Sequence, residues 1–374
     1  MTRNIAIIGA SYLQVPLIKK AKELGYVTHV FAWETGDIGE READFFYPIS
    51  IVEKEAIAQK CKDICICGIC SIASDLATIT VNYVADKLGL NGNSLECTKK
   101  STNKHLMRLC FKENNDPSPY SVLVDHNTQL ETISFDYPLI IKPTDRSGSR
   151  AINVVKNINE MKEAVKKAIS ESFEKKALIE EYVEGDEYSV EGISFKGEHY
   201  ILAITKKKTT GSPHFIETKH TEPSGLDVDV QNRLKAIVKH ALCSLDITNS
   251  ASHSEVKIDK NGNIKIIEIG ARMGGDCIGS DLVYYSTGID YVKAVIQVAC
   301  NEKPDLEPKR KPKTVSSCFI LNENDLDEFN KIINYSADRI IRVAYINKEL
   351  IGRTSNSSDR AGCYIVIEED NNLK

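Results

Sequence analysis

Two glutamates carry the clearest chemical signal in this chain of 374 residues. They lie on either side of Asn261-Gly262 in the segment Ser254 to Ile269, SEVKIDKNGNIKIIEI. An Asn-Gly pair between two strand-like runs predicts a hairpin closed by a two-residue type I′ turn, because both central positions need positive φ and these residue types tolerate it. That turn sets Lys260 opposite Asn263, and counting outwards brings Glu255 opposite Glu268. Their Cβ atoms would then sit about 4.5–5.5 Å apart on one face. Facing carboxylates repel unless one is protonated or a cation bridges them, and a hard, oxygen-preferring ion such as Mg²⁺ relieves the conflict. The competing reading is an exposed hairpin with solvated acids, and a one-residue slip would put the pair on opposite faces.

Residues suited to anionic oxygens surround this pair in the sequence. After Glu268 comes EIGARMGGD, in which Arg272 offers a planar fork to phosphate or carboxylate and Gly274-Gly275 lets the backbone pass close to a neighbour. A plain salt bridge from Arg272 to Asp276 is the alternative. In IIKPTDRSGSR, Lys142 ends an apolar run, and Ser147, Gly148 and Ser149 follow in a loop whose backbone N–H groups can close over an anion. The order of residues is not that of a P-loop. Between Ala177 and Ile193, Glu180, Glu181, Glu184, Asp186, Glu187 and Glu191 crowd one β-rich run, more acid than a plain core strand carries.

These groups need a scaffold, and the hydrophobic pattern predicts one. Asn4 to Gly9 reads as a short buried strand, the stretch from Leu13 to Leu24 as an amphipathic helix stopped by Gly25, and Tyr26 to Trp33 as a second strand. A third strand over Ile64 to Ile72 and a helix over Leu76 to Gly89 complete an alternation that implies a parallel sheet covered by helices. Cys61, Cys65, Cys67 and Cys70 fall in DICICGICSIASD, where alternation with isoleucine points to buried packing rather than zinc. Gly9 is followed by no G-x-G-x-x-G fingerprint, so a dinucleotide site is not indicated. One basic helix is expected over Thr98 to Phe111, ended by NNDPSP, then strands on both sides of the Ser-Gly-Ser loop and a helix over Lys156 to Ser170. Strands dominate from Ala177 to Ile216, and a helix spans Val230 to Leu245. The Pro-containing charged stretch after Pro304 leads into a final α+β unit.

Taken in this order, four blocks resemble the ATP-grasp superfamily of carboxylate–amine ligases, over nearly the whole chain. The resemblance implies an α/β and α+β multidomain protein: a Rossmann-like parallel-sheet domain over residues 1–100, an ATP-grasp domain over 101–303 with its lid at about 115–187, and a small C-terminal α+β domain over 304–374. It implies that Lys104 and Lys142 hold nucleotide phosphates and that Ser147, Gly148 and Ser149 close over them. Glu180, the backbone of Glu181 to Val183, and Glu187 would take the adenine amine, the ring edge and the ribose. Glu255 and Glu268 would be ligands of Mg²⁺, or of Mn²⁺ in its place, and Arg272 would meet the transferred phosphate or acyl group. Many family members carry asparagine two residues after the second metal glutamate, where this chain has Gly270. The segment Thr209 to Gly225 is most like the L-amino-acid ligase branch, which implies that His220 lies by the acyl phosphate; Lys207 would reach the γ-phosphate.

The expected reaction joins a small-molecule carboxylate to an amine with ATP converted to ADP. Bicarbonate activation, as in biotin-carboxylase relatives, and a nucleotide-binding regulatory protein without turnover are the alternatives. With 42% hydrophobic residues and a net charge of −5, the composition is that of an ordinary globular chain without the basic footprint of a nucleic-acid binder. No apolar run reaches membrane-spanning length. A cytoplasmic protein with no membrane partner is expected, and the resemblance suggests a homodimer.

Overall fold

A computed structural model describes residues 3–148, 150–211, 215–354 and 356–369. Its first sheet has the order β3-β2-β1-β4 and is parallel throughout, built from β1 (Arg3–Ile8), β2 (Tyr26–Phe31), β3 (Phe45–Tyr47) and β4 (Gly68–Cys70). Ile5, Ala6, Ile7 and Ile8 are fully buried, as expected of a strand covered on both faces. The helix Val15–Glu23 lays Leu17, Ile18 and Ala21 into this core and ends at Leu24 and Gly25, where Gly25 takes φ +81°. From far along the chain, the helix Tyr291–Ala299 joins the same core.

Two local expectations are corrected here. The cysteine-rich stretch is not one strand: Cys61 is buried in the helix Lys54–Ile64, Cys65 ends that helix in a left-handed conformation, Cys67 is exposed, and only Gly68–Cys70 is extended. The apparent alternation spans a helix end and a loop. The basic helix is likewise two, Leu95–Thr102 and Lys104–Glu113. Asn103 is extended between them and its side chain accepts from the N–H groups of His105 and Leu106, so it stops one helix and caps the next. This break puts Lys104 at a helix start, where its N–H donates to Thr144 O across the domain.

The second sheet is antiparallel, in the order β5-β8-β6-β7: β5 (Ser121–Val124), β6 (Leu139–Pro143), β7 (Asn153–Val155) and β8 (Ala177–Glu181). The helix Ile158–Glu171 covers one face with Met161, Ala164, Val165 and Ala168. The remaining strands form one eight-stranded antiparallel sheet, β13-β12-β9-β10-β11-β14-β16-β15. They are β9 (Asp186–Phe195), β10 (Glu198–Thr209), β11 (Glu217–Glu222), β12 (Ser250–Ile258), β13 (Ile264–Gly270), β14 (Val315–Ile320), β15 (Ile340–Ile346) and β16 (Gly362–Ile367). The final α+β unit therefore continues the sheet that carries the two glutamates, through the pairing of β11 with β14.

The β12–β13 hairpin reaches the expected pairing by a different route. Its loop runs through five residues, Asp259 to Asn263, with Ile258 opposite Ile264, rather than through a two-residue turn. Asp259 organises that loop by accepting from the N–H groups of Asn261 and Asn263. The register near the loop is one residue short of the expected one, and a bulge at Ile267 restores it, so that Glu255 does face Glu268.

Candidate active site

The facing carboxylates are each met by a buried lysine from another element. Lys104 Nζ lies 2.8 Å from Glu268 Oε1 and also donates to Arg146 O, and Lys207 Nζ on β10 lies 2.6 Å from Glu255 Oε1 and 2.9 Å from Glu187 Oε1. Burial pushes the Glu255 carboxyl up, but Lys207 and His253 outweigh it and hold the group well below the usual carboxylate range. Burial pulls the Lys207 ammonium down, and Glu187, Glu255 and Glu217 together raise it well above its ordinary value. Two carboxylates are therefore held face to face with a lysine at each, an oxygen-donor pair that fits a hard divalent cation. Among the described residues no cluster of three or more His, Cys, Asp or Glu is preformed for a metal, so such an ion would complete its shell with ligand or water oxygens.

Lys142 and Glu180 come together away from the open cavity. Glu180 is 1% exposed and sits between Lys142 Nζ at 2.6 Å and Arg108 Nε at 2.8 Å. Burial favours its neutral acid, but the two cations prevail and keep its carboxyl below the usual range. Burial beside Arg108 and Lys104 lowers the Lys142 ammonium in spite of Glu180. Arg108 was not singled out from the sequence. Its Nη2 donates to the carbonyl of Ile267, the bulge residue, and so ties the helix Lys104–Glu113 to the hairpin that positions both glutamates.

A cavity of about 160 Å³ opens over these groups, its lining divided between apolar side chains (Ile140, Ile152, Tyr182, Phe215) and charged ones, with Lys104, Lys207, Glu187, Glu255, Glu268 and Arg272 among the latter. A neighbouring cavity of about 420 Å³ shares Asp75, Lys104, Arg146, Ser147 and Glu268 with it. Small-molecule sites run to about 300–1,000 Å³, so the two together have the capacity that the first lacks. Ser147 and Gly148 line the smaller cavity, whereas Ser149, and Ser212, Pro213 and His214 of the Thr209 to Gly225 segment, lie outside the described residues. Glu181 and Val183 face a separate cavity with the β12–β13 loop, and Lys265 pairs with Glu181 there.

Arg272 pairs with Asp75, not with Asp276. Its Nε and Nη2 donate to the two Asp75 oxygens at 2.8 and 3.0 Å, a fork-to-fork pair whose acid comes from the start of the helix Asp75–Leu88. Ala73 N–H donates to Met273 O beside it. Gly270 is explained by the same contact, since a Cβ there would fall 2.8 Å from Asp75 Oδ1. The Asp75 carboxylate fills the space beside Gly270. Asp276 instead binds Arg360 of the final unit, with Nη1 to Oδ2 at 2.9 Å and Nη2 to Oδ1 at 2.5 Å. His220 is buried against Phe319, 3.5 Å from Asp276 Oδ2, and does not line the smaller cavity. Direct contact with a reacting group is thus not its position here, although it pairs across strands with Lys207, which does line the cavity.

Behind Glu255 lies a second buried network. His253 Nδ1 pairs closely with Glu191, Gly274 N–H donates to Glu191 Oε2 at 2.9 Å, and a Cβ at Gly274 would strike both side chains. That is the neighbour for which Gly274, the first of the paired glycines, makes room. Farther along the same face, Glu222 accepts from Thr205 Oγ1 at 2.6 Å and Ser286 Oγ at 2.7 Å. Burial, reinforced by Glu191, pushes its carboxyl up to about 8, against those two hydroxyls and His253. The folded chain thus favours the neutral acid of Glu222, so its contribution favours folding at low pH and is lost as pH rises from the ordinary carboxylate value through about 8. Glu222→Gln keeps a neutral amide in the same space and should raise the melting temperature at pH 8 while changing it little at pH 5. A melting curve for the variant that declines with pH as steeply as the wild type would refute this.

Residues 135–281 match the family model described as "ATP-grasp domain". Alanine–anticapsin ligase of Bacillus subtilis is 27% identical over 319 residues, 74% of this chain and 66% of that protein, so the match spans slightly under two thirds of the relative. The crystal structure of L-amino acid ligase from Bacillus licheniformis superposes with a TM-score of 0.83 at 22% identity, covering 99% of this chain and 94% of that one. Phosphoribosylglycinamide synthetase from Anaerococcus prevotii gives 0.77 at 23%, covering 99% and 95%. Those likenesses are of fold, and they extend the resemblance to both flanking units. Residues 135–281 thus form an ATP-grasp domain that holds both facing glutamates, and the chain as a whole shares the fold of these solved structures.

Proposed function

We propose that this protein is an ADP-forming ligase that activates a small-molecule carboxylate as an acyl phosphate and joins it to an amine, with amino acids as substrates. The observation that carries this reading is the pairing of Glu255 with Glu268 across one hairpin, each balanced by a buried lysine and both lining one cavity. Similarity to alanine–anticapsin ligase supports the substrate class.

In this mechanism the substrate carboxylate attacks the γ-phosphorus of ATP and ADP leaves; the amine then displaces phosphate from the acyl phosphate. A divalent ion, Mg²⁺ or Mn²⁺, held by Glu255 and Glu268 would neutralise charge on the phosphate oxygens. Lys104 holds phosphate charge, and Lys207 would turn toward the γ-phosphate were Glu255 to bind a cation in its place. Arg272, held in orientation by Asp75, receives the transferred phosphoryl or acyl oxygen. The Tyr182 and Phe215 side of the cavity suits a base, and Glu187 a ribose. Ser147 and Gly148, which line the cavity, close over the phosphates and keep water from the acyl phosphate. Most of the catalytic gain is positioning and charge.

ADP release measured with ATP, Mg²⁺ and a matrix of amino acid pairs, with bicarbonate as a separate arm, tests the reading. Release that requires a pair of amino acids is the expected result. ADP formation driven by bicarbonate alone would assign the chain to the carboxylating branch, and Mg²⁺-dependent ATP binding without turnover across the matrix would favour a regulatory role.

A further inference from the structure

Far from these cavities, at the opposite side of the parallel sheet, two cysteines face each other. Cys67 Sγ lies 4.0 Å from Cys300 Sγ. Cys67 is exposed and precedes β4; its N–H donates to Asn4 O at 2.8 Å and its thiol approaches the same oxygen at 3.2 Å. Cys300 is half-buried and closes the helix Tyr291–Ala299, with its N–H donating to Ile296 O and Gln297 O. Between them Gly68 leaves the room that the sulfur needs, since a Cβ there would fall 2.8 Å from Cys300 Sγ. Both backbones are thus anchored, and the sulfurs point into one solvent-accessible notch.

The surroundings favour a thiolate on one sulfur. The hydrogen bond from Cys300, aided by the nearby Arg3 guanidinium, outweighs burial and lowers the Cys67 thiol to about 6. The same hydrogen bond, together with burial, raises the Cys300 thiol against the opposing effect of Tyr26. Arg3 sits over the Tyr26 ring and pairs with Glu302, which completes the charged groups around the notch. An accessible low-pKa cysteine beside a second thiol is the arrangement in which peroxide oxidation stops at a disulfide.

We propose that Cys67 and Cys300 form a reversible, peroxide-reactive modification site in which Cys67 is the attacking sulfur and Cys300 the resolving one. The Cys67 thiolate attacks one oxygen of hydrogen peroxide, the O–O bond breaks, and a sulfenic acid and hydroxide result. The Cys300 sulfur then attacks the sulfenic sulfur, its proton and the sulfenic OH leave as water, and the disulfide forms. In net terms two thiols are oxidised and one peroxide is reduced to two waters. The sulfurs must close from 4.0 Å to about 2.05 Å. The bond would staple the parallel sheet to the helix Tyr291–Ala299, whose Tyr291 hydroxyl donates to Gly192 O of β9, next to Glu191. It would close a loop containing residues 135–281, which match the ATP-grasp domain model.

The test is stoichiometric hydrogen peroxide on the full-length protein, read by free-thiol count, intact mass and non-reducing peptide mapping. The expected result is loss of two thiols and two hydrogens in wild type, a Cys67–Cys300 linked peptide, reversal by dithiothreitol and a higher melting temperature in the oxidised form. C300S should stop at a sulfenic acid on Cys67, trapped by dimedone, C67S should lose reactivity at both positions, and C65S should behave as wild type. Persistence of both thiols in wild type, or linkage through Cys65 or between chains, would overturn the proposal.

Discussion

Glu255→Gln is expected to reduce ADP release by about 10²–10³-fold, the range typical of losing one preorganised charge at a phosphoryl-transfer centre. Glutamine keeps the shape but halves the anionic charge that a cation would meet on this face. The fold should persist, because Lys207 retains Glu187 at 2.9 Å after losing Glu255. Glu268→Gln should act in the same direction; its partner Lys104 keeps the Arg146 carbonyl. Steady-state kinetics across a Mg²⁺ titration distinguish the roles: a cation-binding defect raises the Mg²⁺ concentration needed for half-maximal rate. A variant with unchanged Mg²⁺ dependence and turnover would show that Glu255 is not a ligand.

The largest stability effect is expected from Glu180→Leu. Lys142 and Arg108 would then face each other in a dry interior with no anion between them, and breaking a buried pair in this way costs about 3–5 kcal/mol. Glu180→Gln should cost less, because the amide oxygen still accepts a hydrogen bond. Since the Glu180 carboxyl is held below its ordinary value, the stabilisation is present above that value and is lost as pH falls through the lower folded one. The variants should therefore lose part of the acid limb of the stability profile. Lys265→Ala, which removes an exposed partner of Glu181, is the control and should stay within about 1 kcal/mol. Urea denaturation of the three variants at pH 7 and pH 4 checks the ranking, and a Glu180→Leu protein as stable as the control would refute it.

Much of the site could be read from the residues in order. The facing of Glu255 and Glu268 followed from one Asn-Gly pair and period-2 geometry, because side chains alternate along strands and paired strands share a face. That inference reached the correct pair through compensating departures, a longer loop and a bulge at Ile267. The bulge carries no sequence signature; it is stabilised by Arg108, whose place beside Ile267 O is decided by how a distant helix packs.

The residues that sequence reading missed are those with meaning only in three dimensions. Asp75 looks like an ordinary acid in a helix first turn, yet it holds Arg272 and takes the room that Gly270 leaves free. Arg360 lies in the last unit and reaches Asp276 because β14 extends the large sheet from β11. His220 was placed by resemblance at the reacting group, and the packing of Phe319 encloses it instead. The cysteine alternation failed because a left-handed cap at Cys65 ended a helix in the middle of an apparent strand.

Local chemistry along the chain determined most of the elements, the parallel sheet and the hairpin that brings two acids together. These depend on turn preference, hydrophobic period and charge, which act over a few residues. Tertiary structure alone decided which charges meet: Lys207 with Glu255, Lys104 with Glu268, Arg272 with Asp75, Cys67 with Cys300. Each of those pairs joins separate elements, and their partners are selected by how sheets and helices pack, a property that no local spacing encodes.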